Sequence, residues 1–227
     1  MALDSLPSPV SGRLRAIKRS LLNCRSSSDV FTKIYKVNGW DGTESLSGPG
    51  STLASTVNIR SALPELIKEF DIKSILDVPC GDAYWIGKCI PQGVTYIGGD
   101  IVPEIIERNR LEKLNLGEFI VCDIVNDELP DADIIIVRDC FIHLPNKMIR
   151  LALENIKKAN IGYILTTTYQ GVVDNVDIEL GGFRPINLTL EPFSLPTPIC
   201  SIMENGEEKS SGKSMGLWLV KDLRSRG

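Results

Sequence analysis

The residues best placed for chemistry are four aspartates that follow four short apolar runs. Asp77, Asp100, Asp123 and Asp139 each stand at the end of such a run, and Arg138 directly precedes the last of them. Short β-branched runs of this kind are typical of strands in a parallel sheet. Ligands of open parallel sheets bind outside the carboxyl ends of the strands, so we expect the four carboxylates to face one ligand.

The spacing of two of these acids indicates what the ligand carries. Asp100 follows Asp77 by 23 residues, which is close to the interval of about 20 at which an acid meets a nucleotide ribose. A carboxylate at that position can accept hydrogen bonds from both ribose hydroxyls. The sequence therefore predicts a ligand that contains a ribose.

The turn after the first apolar run distinguishes between two kinds of ribose ligand. A dinucleotide needs a glycine-rich turn, G-x-G-x-x-G, because its pyrophosphate approaches the backbone closely. Here the turn is Pro79-Cys80-Gly81-Asp82, with one glycine and an acid that would repel a pyrophosphate. S-adenosylmethionine has no phosphate and carries an ammonium and a sulfonium, which nearby carboxylates favour. The turn therefore favours S-adenosylmethionine over a dinucleotide.

These motifs resemble those of a known enzyme family. The segment 74–82 is similar to the first motif of class I S-adenosylmethionine-dependent methyltransferases. A narrower likeness, to a subgroup with D-x-P-C-G-D and R-D-x-x-x-H-L motifs, includes residues 40–51, 138–144 and 184–188, and extends from about residue 34 to the end. The resemblance implies an α/β, Rossmann-like class I methyltransferase fold. Its sheet is expected to have seven mainly parallel strands, one of them antiparallel, with helices on both faces.

Carried over by position, the resemblance implies cofactor contacts at one side of the site. Asp77, Gly81 and Asp82 would line the methionyl part of the cofactor. Asp100 would hold the ribose, with Ile101 beside it. The chain departs from the family pattern here, since Gly81 is the sole glycine of the loop and Asp82 stands where many members have another glycine.

The resemblance also implies contacts at the adenine and at the reacting end of the cofactor. Asp123 and Ile124 would flank the adenine, where a carboxylate can accept a hydrogen bond from the exocyclic amine. Arg138 would lie near the cofactor carboxylate or the substrate. Trp40 could offer a π face to the sulfonium, although an aromatic side chain at such a position is more often a packing residue.

Two residues could remove a proton from the methyl acceptor. His143 is the only histidine of the chain, and its near-neutral ordinary pKa suits a general base. Asp139 is the rival, with a salt bridge to Arg138 as its structural alternative. Arg184 and Asn187 lie in an irregular stretch after the fifth predicted strand. They are predicted to contact the acceptor, or otherwise to order a surface loop.

This set of residues predicts methyl transfer from S-adenosylmethionine to an oxygen or nitrogen of a small-molecule or sugar-like acceptor. The subgroup likeness leans toward glycan or natural-product tailoring. No aromatic and basic patch marks a nucleic-acid substrate, and no metal-ligand cluster is visible in the sequence. Two alternatives stay open: a nucleotide-binding Rossmann oxidoreductase or epimerase, and a catalytically silent S-adenosylmethionine-binding module.

Alternating short strands and helices must position these residues. Parallel strands are predicted at 74–78, 94–99, 118–122, 133–137 and 162–168, and a closing antiparallel hairpin at 199–204 and 215–223. Helices are predicted at 55–70, 103–116 and 146–158. Loops are predicted at 29–52 and 170–198, where glycine, proline or asparagine is frequent.

Length and composition indicate the class of protein and its expected location. The 227 residues suit one α/β domain, predicted at 29–227, after a basic extension at 1–28 that is a short helix, a mobile arm or a targeting segment. The net charge of −4 gives no general attraction to nucleic acid. No apolar run reaches the roughly 20 residues of a membrane span. The spacing of the six cysteines predicts neither a disulfide framework nor a zinc site, which favours a cytoplasmic protein.

Overall fold

The computed structural model describes residues 26–204 and 212–223, so the helix predicted within the N-terminal extension lies outside the described residues. The described helices are α1 (Ser27–Lys36), α2 (Val57–Glu69), α3 (Pro103–Glu112) and α4 (Asn146–Lys158). The strands are β1 (Ser74–Asp77), β2 (Thr95–Asp100), β3 (Glu118–Val121), β4 (Ala132–Val137), β5 (Ile161–Tyr169), β6 (Cys200–Met203) and β7 (Lys213–Leu219). Among these residues, no helix is long and apolar enough to cross a membrane.

In the part of the chain that the structure describes, the seven strands form one sheet in the order β3-β2-β1-β4-β5-β7-β6. Strands β1 to β5 are parallel, and β7 runs antiparallel to both of its neighbours, β5 and β6. The predicted mainly parallel sheet with one antiparallel strand is therefore confirmed. The strand order reverses between β1 and β4, so their carboxyl ends open the crevice where an α/β sheet binds its ligand.

Helices cover both faces of the sheet because its central strands are apolar on both sides. In β4, Ile134 and Ile136 pack into one core, and Ile135 and Val137 pack into the other. The first core receives the buried faces of α2 and α3, and the second receives that of α4. Side chains of a strand point alternately to opposite faces, so an unbroken apolar run predicts this two-sided burial.

The prediction that residues 29–52 form a loop is wrong at the start of the segment, where α1 lies. A capping box starts this helix: Ser26 Oγ accepts from the backbone N–H of Asp29, and the Asp29 carboxylate accepts from that of Ser26. Val30 and Ile34 are buried. Their spacing of four residues is helical, so the segment has an apolar helix face that the loop prediction overlooked. Beyond α1, the segment is irregular as predicted.

Residues 170–198 contain neither helix nor strand, as the sequence predicts. The segment is nevertheless packed, since Ile186 and Leu188 are fully buried. Its backbone joins the end of β5, where the N–H of Tyr169 donates to the carbonyl of Ile186 at 2.7 Å. Asn175 Nδ2 donates to the carbonyls of Asn187 and Glu191, both at 2.8 Å. Buried side-chain amides thus replace the hydrogen bonds that a regular element would supply.

Candidate functional site

A cavity of about 400 Å³ opens at the carboxyl ends of β1, β2 and β4. The sheet therefore brings the sequence-predicted acids together, and it adds Trp40 and His143 from the segments that follow α1 and β4. The predicted cofactor and catalytic residues that line the cavity are Trp40, Asp77, Gly81, Asp82, Asp100, Ile101, Asp123, Ile124, Arg138, Asp139 and His143. Which ligand atom each of them contacts stays a prediction.

Two of these acids, Asp77 and Asp100, are buried carboxylates at the ends of neighbouring strands. Asp77 accepts a hydrogen bond from the Tyr96 hydroxyl at 2.8 Å. Asp100 accepts from the backbone N–H of Gly81 at 3.1 Å and from that of Val102 at 3.0 Å. Burial raises the pKa of Asp77 to about 7 and that of Asp100 to about 6, and the hydrogen bonds oppose these shifts only in part.

The turn that follows β1 requires a glycine at position 81. Its φ of +52° lies in the left-handed region, and a Cβ there would stand 2.0 Å from Ser47 Oγ. Its carbonyl accepts from Asn109 Nδ2 of α3 at 2.7 Å. The turn therefore lies tightly between α3 and the covering segment, a name we use for residues 45–51.

Asp82 fastens the covering segment to the end of β1. Its carboxylate accepts from Ser45 Oγ at 2.9 Å and from the backbone N–H of Leu46 at 2.8 Å. Residues 46–51 all line the cavity, so this attachment closes one side of it. Asp82 therefore organises the wall, in addition to standing at the methionyl position that the resemblance assigns to it.

Asp123 is held at the end of β3 by contacts with the residues that follow it. One carboxylate oxygen accepts from the backbone N–H of Val125 at 2.9 Å, and the other from Asn126 Nδ2 at 2.8 Å. Ile124, beside it, is buried and also lines the cavity. A carboxylate and an apolar side chain thus share one end of the cavity.

A charged cluster of Arg138, Asp139, Glu204 and Lys213 lies at the wall of the cavity; Arg138 and Glu204 are buried, and Asp139 and Lys213 are partly exposed. Arg138 Nε donates to Glu204 Oε1 at 2.8 Å, and Nη1 lies 3.2 Å from Asp139 Oδ2. Lys213 Nζ lies 2.8 Å from Asp139 Oδ2 and 3.3 Å from Glu204 Oε2. Burial alone would raise the pKa of Asp139, but the two cations outweigh it and hold that pKa below its ordinary value.

Sequence reasoning missed Glu204 and Lys213, although both are part of this cluster. They lie at the end of β6 and the start of β7, and Lys213 lines the cavity. Arg138 joins them to the covering segment by donating from Nη2 to the carbonyl of Gly50 at 2.8 Å. No local motif marks these partners, because 66 residues separate Arg138 from Glu204. Only the pairing of β6 and β7 with the sheet brings them together.

His143 lines the cavity, and one of its ring nitrogens makes a hydrogen bond within the protein. Nδ1 is 2.7 Å from the carbonyl of Gly182, an acceptor only, so Nδ1 carries the proton of the neutral ring and Nε2 is the basic atom. The Trp40 ring lies against the imidazole with a centroid distance of 4.2 Å. Burial lowers the pKa of His143, opposed by the Gly182 hydrogen bond and by Asp139. Trp40 thus contacts the candidate base.

Arg184 and Asn187 lie outside the lining of the cavity, so their placement does not support the predicted acceptor contacts. Arg184 is buried, and its guanidinium donates to the carbonyls of Val176, Phe141 and Leu144 and to Asn146 Oδ1. Asn187 is also buried, donates to the carbonyl of Val172 and accepts from Thr189. Arg184 holds residues 170–198 against the segment that carries His143, and Asn187 fastens residues 170–198 to themselves, so both match the structural alternative of an ordered loop.

No protein-family model matches this sequence, and no curated protein is similar to it in sequence. Many solved structures share its architecture, and three of them are representative. One is the N-methyltransferase NodS of Bradyrhizobium japonicum WM9 in complex with S-adenosyl-L-homocysteine, with a TM-score of 0.55 and 14% identity over 91% of this chain and 97% of that one.

The second is magnesium protoporphyrin IX methyltransferase of Synechocystis PCC 6803 with bound S-adenosylmethionine, with a TM-score of 0.59 and 10% identity over 87% of this chain and 98% of that one. The third is 1,6-didemethyltoxoflavin-N1-methyltransferase of Burkholderia thailandensis with 1,6-didemethyltoxoflavin and S-adenosylhomocysteine. Its TM-score is 0.59 at 14% identity, over 96% of this chain and 92% of that one. Likeness at such low identity establishes the fold, which is the Rossmann-like fold of class I methyltransferases.

Proposed function

We propose that the protein is an S-adenosylmethionine-dependent methyltransferase that acts on an oxygen or nitrogen of a small-molecule or sugar-like acceptor. The observation that carries this proposal is the pair of buried carboxylates, Asp77 and Asp100, at the ends of adjacent strands beside the cavity. The shared fold supports it, since the three structures above contain S-adenosylmethionine or its demethylated product.

The two buried carboxylates suit a cofactor that brings positive charge. Burial removes the hydration that would otherwise stabilise the charge of each carboxylate, and this loss raises both pKa values. An ammonium beside Asp77 would offset that loss and keep the carboxylate ionised. A pyrophosphate would instead meet negative charge at Asp77 and again at Asp82, so a dinucleotide is disfavoured at this site.

Asp100 and Asp123 suit the nucleoside part of the cofactor. Each oxygen of Asp100 accepts one backbone hydrogen bond, which leaves lone pairs for the ribose hydroxyls. Asp123 can accept from the exocyclic amine of adenine. Ile101 and Ile124 line the same cavity and offer apolar contacts to the adenine ring.

The cavity would then serve an in-line displacement. When bound, S-adenosylmethionine supplies a methyl group on its sulfonium, and the C–S electron pair leaves with the sulfur as a thioether. The protein holds the acceptor oxygen or nitrogen close to that methyl group and in line with the C–S bond. The covering segment, fastened by Asp82 and by the Gly50 carbonyl contact to Arg138, keeps water away from the reacting atoms.

His143 is better suited than Asp139 to take the acceptor proton. Asp139 is paired with two cations, and its lowered pKa makes it a weak base. His143 is a neutral imidazole near pH 7, because burial lowers its pKa, and its tautomer presents Nε2 as the acceptor. We assign the base to His143 and the stabilisation of the resulting imidazolium to Asp139.

Isothermal titration calorimetry with S-adenosylmethionine, S-adenosylhomocysteine and NAD, run in parallel on the full chain, tests the proposed function. We expect both sulfur nucleosides to bind with similar enthalpies and NAD to give no heat of binding. Saturable NAD binding with no response to either sulfur nucleoside would overturn the proposal in favour of a dinucleotide enzyme.

A further inference from the structure

Three ring side chains form a cluster at the rim of the cavity, which we call the rim cluster: Trp40, His143 and Phe183. The centroid distance is 4.2 Å between Trp40 and His143, and 6.0 Å between His143 and Phe183. Phe183 lines the cavity, yet 51% of its surface is exposed. A large apolar side chain at a cavity wall gains free energy when a flat apolar ligand covers it, by about 25 cal/mol per Å².

Several side chains that line the cavity and lie close to His143 in the chain are apolar. Ile142 and Leu144 flank His143 in the chain and line the cavity with it, and Met148 of α4 lines it as well. A sugar presents several hydroxyls, each of which needs a polar partner when water is excluded. Apolar walls of this kind favour an acceptor whose body is a hydrocarbon ring over one that carries many hydroxyls.

The charges of the cavity do not favour an anionic acceptor. Within the described residues, the lysine and arginine side chains that line the cavity are Arg138 and Lys213. Both are paired with carboxylates of the charged cluster, at 2.8 Å to Glu204 and Asp139 respectively. A phosphate or carboxylate on the acceptor would have to compete with these carboxylates, and at Arg138 that means breaking a buried pair, which is costly.

We infer that the acceptor is a small aromatic compound that carries its reacting hydroxyl on the ring, and that this ring lies against Phe183 with the hydroxyl at His143 Nε2. The inference rests on the proposed function and narrows its acceptor class. The cavity of about 400 Å³ has the size typical of small-molecule sites, which suits a small acceptor.

The strength of the base fits a ring hydroxyl. The imidazole is a weak base, because its burial disfavours the charged form. A phenolic hydroxyl has a pKa of about 10, so a neutral imidazole can take its proton as the reaction proceeds. Sugar hydroxyls are much weaker acids and would need a stronger base.

In the proposed step, the phenolic oxygen forms a bond to the methyl carbon while the C–S bond of S-adenosylmethionine breaks. The electron pair of that bond goes to sulfur, which changes from a sulfonium to a neutral thioether. The phenolic proton passes to His143 Nε2, and the imidazolium later releases it to solvent. The products are an aryl methyl ether and S-adenosylhomocysteine, with no oxidation or reduction of the acceptor.

The test is a methyl-transfer assay on the full chain with methyl-labelled S-adenosylmethionine and five probes: phenol, catechol, 2-naphthol, methyl β-D-glucopyranoside and benzylamine. We expect labelled aryl ethers from at least one of the three phenols, at a rate at least about tenfold above that of the glucoside or the amine. Faster transfer to the glucoside or to benzylamine would overturn the inference. So would no transfer to any phenol by a protein that binds S-adenosylhomocysteine, whereas failure to bind that nucleoside would overturn the proposed function itself.

A pair of variants then tests the position of the ring. Phe183→Ala should raise the KM of the best phenol about tenfold with kcat changed less than about twofold, because it removes apolar contact and leaves the base in place. Val173→Ala is the matched control, since Val173 belongs to the same segment, is 91% exposed and does not line the cavity. An unchanged KM in Phe183→Ala, or an equal rise in both variants, would remove Phe183 from the acceptor site.

Discussion

The cofactor side and the acceptor side of the cavity are held in place in different ways. On the cofactor side, Asp100 and Asp123 each accept from a backbone N–H two residues further along the chain, and Asp100 also accepts from that of Gly81, 19 residues earlier. On the acceptor side, the ring of His143 is held by the carbonyl of Gly182, 39 residues away. Arg184 reaches back over 40 residues or more to the carbonyls of Phe141 and Leu144.

This difference explains why the cofactor side can be predicted from short stretches of sequence and the acceptor side cannot. A strand end and the turn after it are determined by a few consecutive residues, so an acid there has a predictable position. The acceptor side is assembled from segments that meet only once the sheet has formed. We expect substitutions on the two sides to separate cofactor affinity from turnover, and the charged cluster between them to affect both.

The largest effect is expected at the acceptor side, from His143→Ala. Turnover should fall about 10²- to 10⁴-fold while the dissociation constant of S-adenosylhomocysteine stays within about twofold. Since burial lowers the pKa of His143, the wild-type rate should rise with pH, and the midpoint of that rise should lie below the ordinary histidine pKa of 6.5. Asp139, Arg184 and Lys213 are the charged groups that influence this titration.

The pH–rate profile of the variant, measured at saturating cofactor, checks the assignment. The rising limb should disappear in His143→Ala, because the base is deprotonated above its pKa and absent in the variant. A limb that persists would assign the proton transfer to another group, with Asp139 as the first candidate. A single histidine in the chain makes the comparison free of other imidazoles.

The next largest effect, a loss of folding stability, is expected in the charged cluster that lies between the two sides. Arg138→Met would leave the carboxylates of Asp139 and Glu204 with Lys213 as their remaining cation of the charged cluster. Both Arg138 and Glu204 have nearly inaccessible side chains, at 4% and 1% exposure. Removing one partner of such a buried pair costs about 3–5 kcal/mol, so urea unfolding should show a loss of that size.

Arg108→Ala is the control for Arg138→Met, because Arg108 pairs with Glu112 on an exposed face of α3. A surface pair of this kind contributes about 0–1 kcal/mol to the free energy of unfolding. A loss below about 1 kcal/mol in Arg138→Met would mean that the charged cluster is not held as tightly as its distances indicate.

Arg184→Ala should have a smaller effect that stays on the acceptor side. The variant loses four hydrogen bonds, and the buried carbonyl oxygens of Phe141 and Leu144 each lose a donor, at a cost of about 2–3 kcal/mol in the free energy of unfolding. The segment that carries His143 should loosen, so turnover falls while cofactor affinity stays within about twofold. An Arg184→Lys variant should recover little, because an ammonium cannot reproduce the planar set of donors.

Three measurements on Arg184→Ala distinguish this structural role from a direct contact with the acceptor: the KM of the acceptor, the free energy of unfolding, and the affinity for S-adenosylhomocysteine by calorimetry. If Arg184 touched the acceptor, Arg184→Ala would raise KM without any loss of stability. Matched losses of cofactor affinity and turnover would instead indicate that the whole fold is damaged.

The sheet and the strand-end acids could be predicted because each depends on a short stretch of chain. The strands and α4 follow from apolar runs and helical spacing, and the acids follow from the strand ends. Glu204 could not be predicted, since nothing near it distinguishes a buried partner of Arg138 from a surface glutamate. Helix α1 was missed although Val30 and Ile34 have helical spacing, because the glycines at 39–50 indicated a loop for the whole segment.

Arg184 is the opposite case, a residue predicted at the acceptor that the structure places outside the cavity lining. Its position in an irregular segment near the ligand edge of the sheet suggested a substrate contact, but its guanidinium has four protein acceptors. A loop without regular structure must satisfy its own backbone groups, and a buried arginine with five donors does this well. Composition alone cannot show which carbonyls such a side chain will meet.

The most direct test of the central claim is the dissociation constant of S-adenosylhomocysteine for Asp100→Asn, measured by calorimetry beside the wild type and His143→Ala. The proposed ribose contact predicts about tenfold weaker binding in Asp100→Asn, since a charged acceptor is lost, and no change beyond about twofold in His143→Ala. Thermal unfolding of each variant confirms that the fold is retained. An Asp100→Asn protein that is folded and binds the nucleoside as tightly as the wild type would contradict the assignment of the cofactor site to this edge of the sheet.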